Sequence, residues 1–150
     1  MIKKYMVTFL LGLFVSTFSV GAEATWKIEA VRLGNSEDEI YGVAPQIEDK
    51  DKSEVISNLN DTLQINVVYR LEAAKRAVEP AKLEKTQFQT QYEIPYNTDR
   101  YISVVQQYYV FTGGAHGNTT YDIGTYDLRD GSILTLKDIF GPKVNYSKVL

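Results

Sequence analysis

From residue 53 onward the apolar positions Ile56, Leu59, Leu63, Val67, Leu71, Ala74 and Val78 recur at steps of three and four. That spacing draws one stripe along a helix, and Pro80 ends it. Polar Asn58, Asp61, Asn66 and Arg70 fall off the stripe, so the helix is expected to lay one face on a sheet. The β-branched pair Val67 and Val68, with Asn58 and Asn60, lowers helix propensity and marks where a kink or an early end is expected. On both sides of this stretch the period changes to two. Trp26, Ile28 and Ala30 alternate with Lys27, Glu29 and Val31 as a half-buried strand that breaks at Gly34, Asn35 and Ser36. Residues 36–52 are charged and punctuated by Gly42 and Pro45; they predict mostly loop, with Ile40, Tyr41 and Val43 as a short extended segment. Beyond Pro80, Phe88, Tyr92 and Ile94 alternate with Gln87, Gln89, Gln91 and Glu93, a strand with one wet face that Pro95 and Asn97 to Asp99 should end. Residues 101–112 and 119–128, rich in β-branched and aromatic side chains, predict two more strands. Arg129, Asp130 and Gly131 then read as a hairpin turn, residues 133–136 as its return strand and residues 138–141 as a helical turn. One long helix among several strands predicts an α+β fold, an antiparallel sheet packed against that helix.

The first two dozen residues carry a different pattern. Lys3 and Lys4 precede an apolar run over residues 5–20, and small residues follow, the arrangement of a secretory signal peptide over residues 1–22. Cleavage after Ala22 starts the mature chain at Glu23; a second frame starts it at Thr25. The run is shorter than the roughly 20 residues that span a bilayer, so no stable membrane anchor is expected. An exported protein, periplasmic or extracellular, is the implied destination.

Length and composition narrow the chemistry. A chain of 150 residues with 44% hydrophobic residues is enough for one packed domain, expected over residues 23–150. Its net charge is −3, and loss of residues 1–22 removes two lysines and no acid, leaving −5, or −4 if Glu23 is also lost. The broad basic field that nucleic acid requires is therefore missing. With no cysteine and one histidine, disulfides, thiol catalysis and cysteine-type zinc sites are excluded, and no metal or other cofactor is expected.

The segment from Tyr109 to Asn118 interrupts a strong strand pair with three glycines, Gly113, Gly114 and Gly117, around His116. Glycines so placed mean positive φ, a bulge, or another group too close for a β-carbon. Together with the downstream Thr125-Tyr126-Asp127-Leu128, Gly131 and Leu136-Lys137-Asp138-Ile139-Phe140, this segment resembles an extracytoplasmic domain family. That family is shared by the lysozyme-sensing anti-sigma factor RsiV and the non-catalytic N-terminal region of the peptidoglycan deacetylase PdaC. The likeness covers roughly residues 28–150, and Tyr41-Gly42-Val43-Ala44-Pro45-Gln46-Ile47 is similar to the family's segment ahead of its first helix. The family pattern continues beyond the Asp138-Ile139-Phe140 turn with a helix and closing strands; Tyr146, Val149 and Leu150 look like the start of that helix, so the resemblance implies a domain incomplete at its C-terminal end. Only four residues precede the hydrophobic run, so sigma-factor control does not carry over. The deacetylase chemistry belongs to a separate metal domain built on Asp and several His, which one histidine cannot supply; no enzyme activity is expected.

His116 is the single candidate general base, with Thr119, Thr120 and Asp122 as neighbours in no triad spacing. Its structural alternative is a hydrogen bond to backbone that fixes the glycine turn. A metal ion would need Asp122 or Asp127 beside His116, a sparse ligand set. Eleven tyrosines invite sugar stacking, yet most fall in strands, where tyrosine packs on pleated surfaces. The acidic stretches around Glu37 and Asp49 are solvated loop that also attracts cationic proteins. Ligand contact is expected from two connections: Gly113, Gly114, His116, Gly117 and Asn118 in one, Tyr96 and Tyr101 in the other. The resemblance implies a non-catalytic, exported binding module at the cell envelope, with a cell-wall glycan or a cell-wall-active protein such as lysozyme as partner. A hydrolase centred on His116 and a purely structural envelope domain are the alternatives.

Overall fold

The computed structural model describes residues 26–35, 39–76, 86–145 and 148. The expected signal peptide and both cleavage frames, Val78 and Pro80 at the end of the helical stripe, and the helix start at Tyr146, Val149 and Leu150 lie outside these residues. The described chain is an α+β fold: strands β1 (Ile28–Asn35) and β2 (Ile40–Ile47), helix α1 (Glu54–Arg76), strands β3 (Thr86–Asn97), β4 (Tyr101–Thr112) and β5 (Asn118–Asp127), and a short helix α2 (Leu136–Phe140). The five strands form one sheet in the order β1-β2-β3-β4-β5. Among the described residues, no helix is long and apolar enough to cross a membrane.

Helix α1 buries Ile56, Leu59, Leu63, Val67, Leu71 and Ala74, the stripe expected from the three-and-four spacing. Ser53 starts it by accepting the Ile56 amide on its hydroxyl (3.3 Å) and the Ser57 amide on its carbonyl (3.0 Å). Glu54 in the first turn and Lys75 and Arg76 in the last complement the helix dipole. The helix continues as one element through Val67 and Val68, where a kink was expected, because Val67 is wholly buried against the sheet. The C-terminal half of α1 packs with Ile40, Ala44, Phe88 and Tyr108; the N-terminal half packs with Ile47, Ile102, Val104 and Leu128.

The α+β class with a mostly antiparallel sheet on one long helix is as expected, and four details need correction. Residues 40–47 form a full strand instead of loop. Glycine and proline both have positions there: a β-carbon on Gly42 would overlap Val67, so the helix lies directly on the strand's backbone. The amides of Val43 and Ile47 point away from β1, and by the alternation of the strand the nitrogen of Pro45 does too, on the side where β3 has already diverged. Side chains replace that missing strand partner. Thr90 accepts the Val43 amide (2.6 Å) and donates to its carbonyl (2.9 Å), while Asn60 accepts the Ile47 amide (2.8 Å) and donates to its carbonyl (2.9 Å). The second correction concerns strand direction: β2 and β3 pair in parallel, Ile40 with Phe88 and Tyr41 with Gln89, because α1 crosses between them and returns the chain in the same sense. The other pairings are antiparallel. Third, β3 runs through Pro95 to Asn97 with a register shift between Glu93 and Tyr96, a bulge that accommodates the proline. The expected return strand over residues 133–136 reduces to one bridge between Tyr126 and Ile133, since Thr135 and Asp138 form a capping box that starts α2 at Leu136.

Candidate functional site

The glycine turn between β4 and β5 is an exposed loop whose glycines differ in their reasons. Gly113 sits at φ 83°, whereas Gly114 has open space where a side chain would be. Gly117 lies under the ring of Tyr109, which a β-carbon would overlap. His116 is exposed, and its Nδ1 is 3.1 Å from the carbonyl oxygen of adjacent Gly117. That contact is local to the turn. It joins His116 to no other element.

Tyr96 and Tyr101 lie at the other end of β4. Twelve residues of strand separate the two connections, about 35 Å at strand rise, so the two halves of the expected contact set are not brought together. Tyr96 is exposed in the β3 bulge; Tyr101 lies under the guanidinium of Arg100, 4.6 Å from the ring centroid. The neighbouring carboxylate, Asp127, is buried and receives Arg100 (2.9 and 3.0 Å) and Arg129 (3.0 and 3.2 Å) together with the Arg129 amide (3.1 Å). Arg129, and then Arg100, hold its carboxyl well below the usual carboxylate range against the opposing effect of burial. Asp127 is therefore a clamp on the β3–β4 turn and the β5 end, far along the strand from His116. Among the described residues no three His, Asp or Glu side chains gather where they could hold a metal ion.

A third place, absent from the expected contact set, carries the concave chemistry. Helix α1 lies mainly over β2, its buried stripe reaches β4 at Ile102, Val104 and Tyr108, and the inner face of β5 is left partly uncovered at Asp122 and Tyr126. Alternation along β5 turns Asp122, Gly124 and Tyr126 inward, opposite Gln106, Val104 and Ile102 of β4. From the helix, Arg70 reaches across to Asp122 (2.6 Å) with its guanidinium carbon 4.3 Å from the Tyr108 ring centroid. Between them opens a cleft of about 320 Å³, lined by Leu63, Asn66, Gln106, Tyr108, Asp122 and Tyr126 among others. Its floor is fixed: Gln106 is buried and donates to the Val43 (3.0 Å) and Gln91 (3.1 Å) carbonyls. Burial, with the Asp122 carboxylate beside it, pushes the Tyr108 phenol up despite Arg70, and burial and Asp122 likewise raise Tyr126. Both phenols are therefore neutral at physiological pH.

A model of the family described as Deacetylase PdaC matches residues 36–119, more than half of the chain. The chain belongs to this family. The family span takes in β2, α1, β3, β4 and the glycine turn, and with them Asn66, Arg70, Gln106 and Tyr108; Asp122 and Tyr126 lie beyond it. Two solved structures share the fold. A DUF3298 family protein from Pseudomonas aeruginosa PAO1 is 18% identical with a TM-score of 0.50 over 84% of this chain and 62% of its own. A DUF3298 family member from Bacteroides fragilis is 13% identical with a TM-score of 0.50 over 77% of this chain and 61% of its own. The chain thus spans less than two thirds of either relative. No curated protein matches it.

The Arg70–Asp122 site was partly legible. Arg70 borders the buried stripe, three residues after Val67 and one before Leu71, and the period of two puts Asp122 on the face of Gly124 and Tyr126. Nothing in the sequence pairs the two, which stand 52 residues apart.

Proposed function

We propose that this is a non-catalytic, exported binding module acting at the cell envelope, and that the cleft between α1 and the β4–β5 hairpin holds its ligand, a cell-wall glycan. Membership of the PdaC family makes the chain a cell-envelope-related domain, and the lysine-flanked apolar N-terminus supports export. The cleft is the observation that carries the reading. A floor of Leu63, Val104 and Gln106, the half-buried ring of Tyr126, an exposed amide at Asn66 and the Arg70–Asp122 pair offer a sugar residue an apolar wall and both donors and acceptors. At about 320 Å³ it is at the small end of ligand sites, sized for one part of a glycan chain. His116 is solvent-exposed and bonds only within its own turn, which supports a binder over a hydrolase.

Titration of isotope-labelled protein with soluble peptidoglycan fragments tests this reading. Amide shifts are expected at Asn66, Gln106, Asp122 and Gly124, and Asn66→Ala, which removes an exposed amide and no structural bond, should weaken binding about fivefold to tenfold, the worth of one hydrogen bond. No shift at millimolar fragment would remove the glycan. The second reading is a cationic cell-wall-active protein such as lysozyme, supported by the net charge of −3. In that case lysozyme perturbs the 113–118 turn, and the interaction weakens with salt.

A further inference from the structure

The face of the sheet turned away from α1 carries an ordered set of side chains. Ile40 and Gly42 pack toward the helix, so alternation turns Tyr41 outward, and it likewise turns out Gln89 and Gln91 of β3 and Gln107 and Tyr109 of β4. The register sets Tyr41 beside Gln89, Gln89 beside Tyr109 and Tyr109 beside Thr119, one row across four strands. Tyr41 and Tyr109 therefore stand two strands apart, about 10 Å. Next to this row Gln91 faces Gln107 and donates to it (2.8 Å). Both rings are held. The Arg32 guanidinium carbon lies over Tyr41, 5.5 Å from the ring centroid, and the tip of the Tyr109 ring reaches over Gly117, so that this ring lies along the sheet instead of standing off it. Among the described residues the side-chain amide of Gln89 has no hydrogen-bond partner. Outward charges border the patch, Arg32 at one end and Glu93 beyond Gln91, but none lies within it.

We propose that this outer face is a second carbohydrate site, which takes an extended, uncharged β-1,4-linked glycan lying across the strands. The spacing fits: two strand steps, about 10 Å, is also the disaccharide repeat of such a chain, so equivalent sugars meet Tyr41 and Tyr109 with Gln89 between them. Tyr109 offers a ring face for stacking, Tyr41 a hydroxyl, and Gln89, Gln91 and Gln107 both donors and acceptors for sugar hydroxyls. The glutamines decide the occupant. Covering their amides with an apolar protein surface would strand donors and acceptors, whereas sugar hydroxyls replace the water they lose. The absence of charge within the patch points the same way, because a nucleic acid or a cationic protein calls for a complementary field. Strands β3 and β4 are interior to the sheet, with a neighbour on either side, so it is their side chains that are left for recognition. The class of ligand rests on the glycan reading above, but no residue of the row lines the cleft.

Titration of the isotope-labelled full chain with a β-1,4-linked N-acetylglucosamine tetrasaccharide, and with the disaccharide, tests it. The expected result is a shift of the Gln89, Gln91 and Gln107 side-chain amides that is insensitive to salt. The tetrasaccharide should bind at least about tenfold more tightly than the disaccharide, because only the longer chain engages both tyrosines. Gln89→Ala should weaken this binding about threefold to tenfold and Tyr109→Ala at least about fivefold, whereas Tyr69→Ala, at an exposed tyrosine of α1, should leave it unchanged. If Tyr109→Ala disturbs the fold, Gln89→Ala decides. Shifts confined to Asn66, Asp122 and Gly124 would overturn this proposal and leave the cleft reading standing, and shifts on the outer face alone would do the reverse. Equal affinity for the two sugars, or undiminished binding by Gln89→Ala, would also overturn it, and no shift at millimolar tetrasaccharide would overturn both.

Discussion

Gly114 and Gly117 stand three residues apart in one exposed turn and answer to different constraints. Gly117 is required by a neighbour, since its Cα passes beneath the Tyr109 ring, and any β-carbon must displace that ring. Gly114 has nothing within reach and no positive φ. Gly117→Ala is therefore expected to displace the tip of the half-buried Tyr109 ring and cost about 1 kcal/mol, the low end of what overpacking costs, and Gly114→Ala to be neutral or slightly stabilising through a less free unfolded chain. Urea unfolding of both variants checks the contrast; equal losses would mean that the turn acts as a unit. The sequence announced the turn but not this division, because three glycines in a row of five look alike until the ring of a residue eight positions earlier is placed over one of them.

Strand β2 is held at its far end by helix side chains in place of a neighbouring strand. Because β3 diverges after Tyr41 and Gln89, the Ile47 amide and carbonyl would be left in a buried position without Asn60. Asn60→Ala removes both bonds and should destabilise the domain by about 1–3 kcal/mol, the cost of buried polar groups left unpaired. It should also release the Ile47 amide to exchange ahead of the helix amides; an Ile47 amide that stays as protected as those of α1 would show that water or another group takes over. Periodicity named all six buried residues of α1 correctly, yet it scored Asn60 merely as a weak helix former. The role of that side chain depends on a strand thirteen residues earlier that composition favoured as loop.

At the scale of the whole molecule, the Asp127 clamp ties the β3–β4 turn through Arg100 to the corner after β5 through Arg129. Its folded pKa is depressed below the ordinary value of 3.8, so its contribution is complete above that value and is lost as pH falls through 3.8 toward the lower folded one. Wild-type stability should therefore decline with acid below about pH 4. Asp127→Asn should already be less stable at neutral pH, because two guanidinium groups face each other without the carboxylate, and should lose part of that acid dependence. Denaturation curves at pH 7, 4 and 3 for both proteins measure the difference; parallel declines would assign the acid sensitivity to other groups. The cleft belongs to this scale too. It exists because α1 lies mainly over β2 and stops short of β5.

What the sequence determined by itself is what local pattern encodes: the α+β class, the stripe of α1, the wet and dry faces of β3, the glycine turn and its family likeness. Each of these depends on residues within a turn or two of one another, where spacing alone fixes which side chains share a face. Tertiary structure decided the rest. Whether Gly42 and Pro45 break a strand depended on a helix lying close over one and an absent neighbour beside the other. Parallel pairing of β2 with β3 followed from the path of α1, and the meeting of Arg70 with Asp122 from the angle at which that helix crosses the sheet. Tyr96 and Tyr101 were separated from His116 by the length of β4. Contacts between distant segments carry no periodic signal in a single chain, so only the packed fold could bring Arg70 to Asp122 and keep His116 away from Asp127.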